Sequence, residues 1–202
     1  MDFHYFDNHS TTPVDPRVAA VIHRVMLDEP GNPSTTWHRA SWRARDLCDR
    51  AAAEVANTAG CASEQVLFTS GATAALRLAV EHSRRAADAS VFRVACSPIE
   101  HRSLLDMLLA LETDGLAEIT WLRVDACGLV DTHSIERALA IGQDLMCLMW
   151  ANNEIGTVQP VEDAGRMCAD AGAPLLVDAT QALSSGVVSL ERSAATYAAI
   201  SA

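Results

Sequence analysis

Short apolar segments that alternate with amphipathic ones constrain this chain more than any other feature. Such segments occur at Val66–Phe68, Val91–Cys96, Ile119–Val124, Leu145–Trp150 and Pro174–Val177. Helical patterns separate most of them, with Leu104, Leu105, Leu108 and Leu109 on one face of one, and Val161, Ala164 and Cys168 on one face of another. Unbroken apolar strands alternating with helices predict an α/β fold, a mainly parallel sheet with helices on both faces. In such sheets ligands bind outside the carboxyl ends of the strands, so the strand-to-helix loops are where function is sought.

Ahead of this pattern lie an irregular arm, residues 1–15, and two predicted helices that open the main domain, residues 16–202. Asp15 suits an N-cap, Pro16 the first turn, and Val18, Val21, Ile22 and Val25 form a stripe. Pro30, Gly31, Asn32 and Pro33 break that helix. The next carries Trp37, Ala40, Ala44, Leu47, Ala51 and Val55 on one face, and Gly60 is its expected stop.

Net charge of −11, without any run of basic residues, argues against a nucleic-acid partner. Six scattered cysteines without a CxxC pair read as buried free thiols in a reducing compartment. The longest apolar run, Leu145 to Ala151, is too short to cross a membrane, and the polar N-terminus has no signal-peptide pattern. These features together predict a cytoplasmic protein.

Four loops carry chemistry. Phe68-Thr69-Ser70-Gly71-Ala72-Thr73 joins a strand to a helix. Small residues, hydroxyls and free amides at a helix start there make either a phosphate cup or an ordinary capped helix. Ser97-Pro98-Ile99-Glu100-His101 offers an imidazole that can lie on an aromatic ligand and move protons, or serve structurally. Trp150-Ala151-Asn152-Asn153-Glu154-Ile155-Gly156 sets polar side chains beside a core strand, bonding either a ligand or their own turn. In Leu175-Leu176-Val177-Asp178-Ala179-Thr180-Gln181 a carboxylate ends a buried strand, where it needs donors or a cation.

In this order, the segments YFDNHSTTPVDPRV, GNPS with His38, FTSGAT, EHRSLL, NNEIGTVQP and VDATQ resemble the cysteine desulfurases. These are class V aminotransferase-like enzymes of the fold-type I group, which use pyridoxal 5'-phosphate (PLP). The resemblance implies the PLP-binding large domain, with Ala72 and Thr73 on the cofactor phosphate and His101 stacked on its ring as the catalytic proton carrier. It further implies Asn153 and Gln181 at the ring's phenolic oxygen and its surroundings, Asp178 at the pyridinium nitrogen, and Ser201 at the phosphate. L-cysteine would be the substrate, alanine and an enzyme persulfide the products. A dimer, or a complex with a chain supplying the C-terminal half, and a sulfur-acceptor protein would be the partners. Iron–sulfur assembly, tRNA modification and DNA modification all remain open as the use of the sulfur, as does selenocysteine as substrate. No metal is implied.

Two departures qualify the match. After Gly71-Ala72-Thr73 the sequence runs Ala74-Ala75-Leu76-Arg77, where the family has an acidic residue and then Asn or Asp. All fifteen basic residues are arginine, so there is no side-chain amine for a Schiff base. The family's Schiff-base Lys would follow Ser201-Ala202, and its persulfide Cys and small C-terminal domain would lie further on. One reading is a portion of a desulfurase completed by other sequence or a second polypeptide, and this chain alone is then predicted inactive. The other is a non-catalytic homologue that binds a full-length enzyme. Retention of all four polar loops favours the first, because buried polar groups that no longer meet a ligand are costly.

Overall fold

The computed structural model describes residues 4–8, 11–182 and 189–201, which leaves His9 and Ser10 of the opening motif outside the described residues. The chain forms two compact units, Met1–Leu67 and Phe68–Ala202.

In the first unit, α1 (Pro16–Asp28) begins as its sequence predicts: the Arg17 amide donates to Asp15 Oδ1 at 2.7 Å, with Pro16 in the first turn. Its apolar stripe is exposed, with Val18, Val21 and Ile22 each at 51%. The second helix, α2 (Arg39–Ala59), is capped by His38 and stopped by Gly60 at φ 73°. Its buried stripe is Ser41, Ala44, Ala56 and Ala59, whereas Trp37 precedes the helix and is exposed.

The second unit holds the predicted sheet. Its elements run α3 (Ala72–Ala87), β1 (Phe92–Cys96), α4 (Arg102–Thr113), β2 (Ala117–Trp121), α5 (Thr132–Ala140), β3 (Leu145–Met149), α6 (Val161–Ala171), β4 (Leu175–Asp178) and β5 (Tyr197–Ala199). The strands lie in the order β2-β1-β3-β4-β5, and every neighbouring pair is parallel. Alternate residues serve opposite layers. Val94, Cys96, Leu145, Cys147 and Leu176 pack with Leu76, Val80, Leu104 and Leu108 of α3 and α4. Ala95, Met146, Leu148, Leu175 and Val177 pack with Ile135, Ala138, Ala164 and Cys168 of α5 and α6. Both faces are therefore covered, as the unbroken apolar strands require. On the second face α6 lies so close to a short turn of helix at Glu191–Ser193 that a Cβ on Gly165 would sit 1.8 Å from the Ser193 carbonyl oxygen.

Three expectations change. Val66–Phe68 pairs with no strand among the described residues, and Leu67 and Phe68 are exposed; apolar composition alone does not supply the neighbouring backbone a strand needs. The segment expected at Ile119–Val124 forms a strand two residues earlier, while Val124 makes an isolated bridge to Val130. Cys96, Cys147 and Cys168 are buried free thiols as expected, but Cys48, Cys61 and Cys127 are exposed. No described helix is long and apolar enough to cross a membrane.

Candidate functional site

From β1 the chain passes to β2 on one side, then returns to place β3 on the other and continues outward to β4 and β5. The switch point thus lies between the carboxyl ends of β1 and β3, where open parallel sheets form their crevice. The Ser97–His101 loop leaves β1 here and the Trp150–Gly156 loop leaves β3. Helix α3 runs against the strand direction: its C-terminal half meets the start of β5, with His82 Nδ1 2.8 Å from the Tyr197 hydroxyl. Its first turn, with Ala72 and Thr73, therefore lies on the same side as the strands' carboxyl ends.

One part of this site is bonded to itself. Asn152 is buried, and its Oδ1 accepts the Glu154 and Ile155 amides at 2.8 and 3.0 Å. Its Nδ2 donates 2.9 Å to the Ile99 carbonyl, tying the β3 loop to the β1 loop. Gln159 is buried too; its Oε1 accepts the Val130 amide and its Nε2 donates to the Gly128 carbonyl. Glu100 Oε1 accepts the Met149 amide at 2.7 Å, a second tie, from the β1 loop to the end of β3. Burial pushes the Glu100 carboxyl up to about 8 against the pull of that amide, and the charge of Asp178 adds to the rise.

His101 caps α4. The Ser103 amide donates to its Nδ1 at 3.2 Å, and the Ser103 hydroxyl lies 2.7 Å from the same atom. A ring nitrogen that accepts a backbone N–H holds no proton, so the neutral ring carries its proton on Nε2. The ring is exposed and fixed in orientation.

Another part has unspent polar capacity. Gly71 sits at φ 144°, a backbone that side chains rarely adopt, and leads into α3 without a side-chain cap. Thr69 Oγ1 donates to the Gly71 carbonyl at 2.9 Å and steadies the turn. The Ala74 and Ala75 amides are taken by the Gly71 carbonyl, whereas those of Ala72 and Thr73 have no partner among the described residues. Asp178 ends β4, 6% exposed, in register with Met149 of β3 and Ala199 of β5. Its Oδ1 accepts the Thr180 amide at 3.0 Å, and among the described residues it forms no ion pair. The Thr180 hydroxyl is buried without a hydrogen-bond partner among the described residues. Asn153 is half-buried and its side chain bonds nothing among the described residues. Gln181 follows, half-buried, and Ser201 is exposed just past β5.

All seven residues singled out in the sequence lie in the second unit, around the carboxyl ends of β1, β3, β4 and β5 and the start of α3. Glu100, Asn152 and Thr180 were not singled out. Each had a signal: a polar residue one to five positions beyond a mostly apolar strand is carried into the protein with it.

The chain belongs to the aminotransferase class-V family, whose model matches residues 4–202. Its relatives include the cysteine desulfurase IscS of Pectobacterium carotovorum, 37% identical over 89% of this chain and 45% of that protein. Another is the mitosomal cysteine desulfurase of Trachipleistophora hominis, 34% identical over 88% of this chain and 40% of that protein. Among solved structures, a NifS-like protein superposes at TM-score 0.88 with 30% identity, covering 98% of this chain and 54% of that one. SspA in complex with cysteine superposes at 0.90 with 27% identity, covering 98% and 56%. The chain spans about half the length of the proteins it matches.

Proposed function

We propose that these residues form the PLP cradle of a cysteine desulfurase, which turns L-cysteine into L-alanine and passes the sulfur to a cysteine thiol as a persulfide. The Asp178 carboxylate carries this reading: it is buried at a strand end with one amide donor and no cation among the described residues. A buried carboxylate is costly unless a positive partner meets it, and a protonated pyridine nitrogen is such a partner. The donor set fits the rest of the cofactor. The first-turn amides of Ala72 and Thr73 suit a phosphate, as does the hydroxyl of Ser201. Thr180, Asn153 and Gln181 surround Asp178 in sequence or across the sheet edge and supply neutral polar groups for the ring substituents.

PLP, when bound, supplies an electron sink that labilises bonds at the substrate's α-carbon. Around it, Asp178 holds the ring nitrogen's proton, and His101, with Nδ1 engaged by Ser103, offers Nε2 as the proton carrier. The buried thiols have no part in sulfur transfer. Burial raises Cys168 to about 11, and Cys96 is held well above the usual thiol range by its hydrogen bond with Cys147 and by burial. A lysine must come from other sequence, either further along the polypeptide or on a partner, and the family resemblance puts the acceptor cysteine there as well.

The 202-residue chain is therefore expected to bind PLP reversibly, with an absorbance that dialysis removes and no side-chain adduct after borohydride. Supplied with a lysine-bearing C-terminal segment of a relative, it is expected to release alanine from cysteine. An assembled complex that holds PLP and forms no alanine would count against the desulfurase reading. In the alternative, a scaffold homologue, the chain would associate with a full-length enzyme yet leave PLP unbound.

A further inference from the structure

Among the described residues of the second unit, Glu100 is the one buried acid that the cradle does not use. It stands immediately before His101, and its side chain reaches across the switch point to the Met149 amide at 2.7 Å. Met149 is the register partner of Asp178. The side chain thus joins the turn that bears the imidazole to the strand end beside the carboxylate. Its other oxygen, Oε2, is buried with no hydrogen-bond partner among the described residues. No arginine or histidine forms an ion pair with Glu100 among the described residues. The titratable groups around it are Asp178 from β4, Cys96 from β1 with its β3 neighbour Cys147, and His101 next in the chain. A second ionised carboxylate in this layer would face Asp178 without any cation to offset it.

We propose that Glu100 is a positioning residue of the cradle, a neutral acid whose carbonyl oxygen holds the Met149 amide and so fixes His101 relative to Asp178. The inference deepens the PLP reading and rests on it. Protonation keeps the acceptor in place while leaving Asp178 as the single charge that meets the ring nitrogen. This agrees with a carboxyl pushed up to about 8. Ionisation of Glu100 at higher pH adds a charge that only breaking the tie or opening the turn can relieve.

The test uses the full chain and three variants, with PLP affinity followed by absorbance from pH 6 to 9. Glu100→Gln keeps an oxygen for Met149 and a neutral donor in place of the O–H. It should bind PLP within about twofold of the parent at pH 7 and should not weaken through pH 8 as the parent does. Glu100→Asp falls short of Met149 and should lose about tenfold in affinity, as should Glu100→Ala. A pure framework role would lower stability without setting the pH profile.

Unfolding of the parent and of Glu100→Gln in urea over the same range, extended down to pH 4, separates this inference from the cofactor reading. The native acid holds its proton up to about 8, and an unfolded Glu loses it near ~4.3. The parent should therefore lose stability relative to Glu100→Gln as pH climbs between those values, then keep a constant offset from it at higher pH. If no protein binds PLP but this relative slope is present, the cofactor reading fails and the neutral acid stands. Parallel stability curves would overturn the proposal, as would a Glu100→Gln variant as impaired as Glu100→Ala.

Discussion

The two loops at the switch point and the strand end bearing Asp178 are built from similar residues, Asn, Thr, Gln and an acid, yet they spend their polar atoms differently. In the loops, Asn152, Gln159 and Glu100 bond backbone groups of their own and neighbouring turns. Around Asp178 and the α3 start, a buried hydroxyl, two amides and the Asn153 side chain are left over among the described residues. A buried polar group without a partner is costly, so one half reads as framework and the other as a surface shaped for a ligand. Neighbours in sequence fall on opposite sides of this division. Asn152 holds the turn, and Asn153 is spare.

Substitutions should separate the halves. Asn152→Ala removes four hydrogen bonds around a buried turn, one of them a weak bond to the Met149 sulfur, and should cost about 3 kcal/mol of stability in urea unfolding. Asp178→Asn should leave stability within about 1 kcal/mol, or raise it, while weakening PLP by about 2 kcal/mol, some thirtyfold by absorbance titration. Thr180→Val removes the orphaned hydroxyl. It should stabilise the ligand-free chain by about 1 kcal/mol and lower PLP affinity, the trade expected of a group kept for a ligand. Asn153→Ala should shift the unfolding midpoint least, by under about 0.5 kcal/mol, with its effect confined to affinity. Equal stability losses at Asn152 and Asn153 would erase the distinction between them.

Much of this was legible in the sequence. Apolar runs marked four of the five strands because strands buried on both faces need no polar side. The strand Tyr197–Ala199 was missed, since three small or amphipathic residues carry no period. Val66–Phe68 was over-read because a strand is a property of two segments, and composition reports only one. The family segments located the site residues, yet could not divide Asn152 from Asn153. That division depends on which side chain the turn folds inward. Glu100 was passed over because its partner, the Met149 amide, lies 49 residues away across the sheet. The Val18, Val21 and Ile22 stripe is periodic as read, and its exposure shows that a helical period marks a face without naming what covers it.

Amide hydrogen exchange with and without PLP tests the division most directly. Without PLP, the amides of Glu154, Ile155 and Met149, which are held by side-chain acceptors, should be protected, while those of Ala72 and Thr73 exchange quickly. Saturating PLP should protect residues 71–73 and 178–181 and leave 152–159 almost unchanged. Protection gained at 152–159 instead, or no change around Asp178 under PLP, would contradict the assignment of that strand end as the cradle.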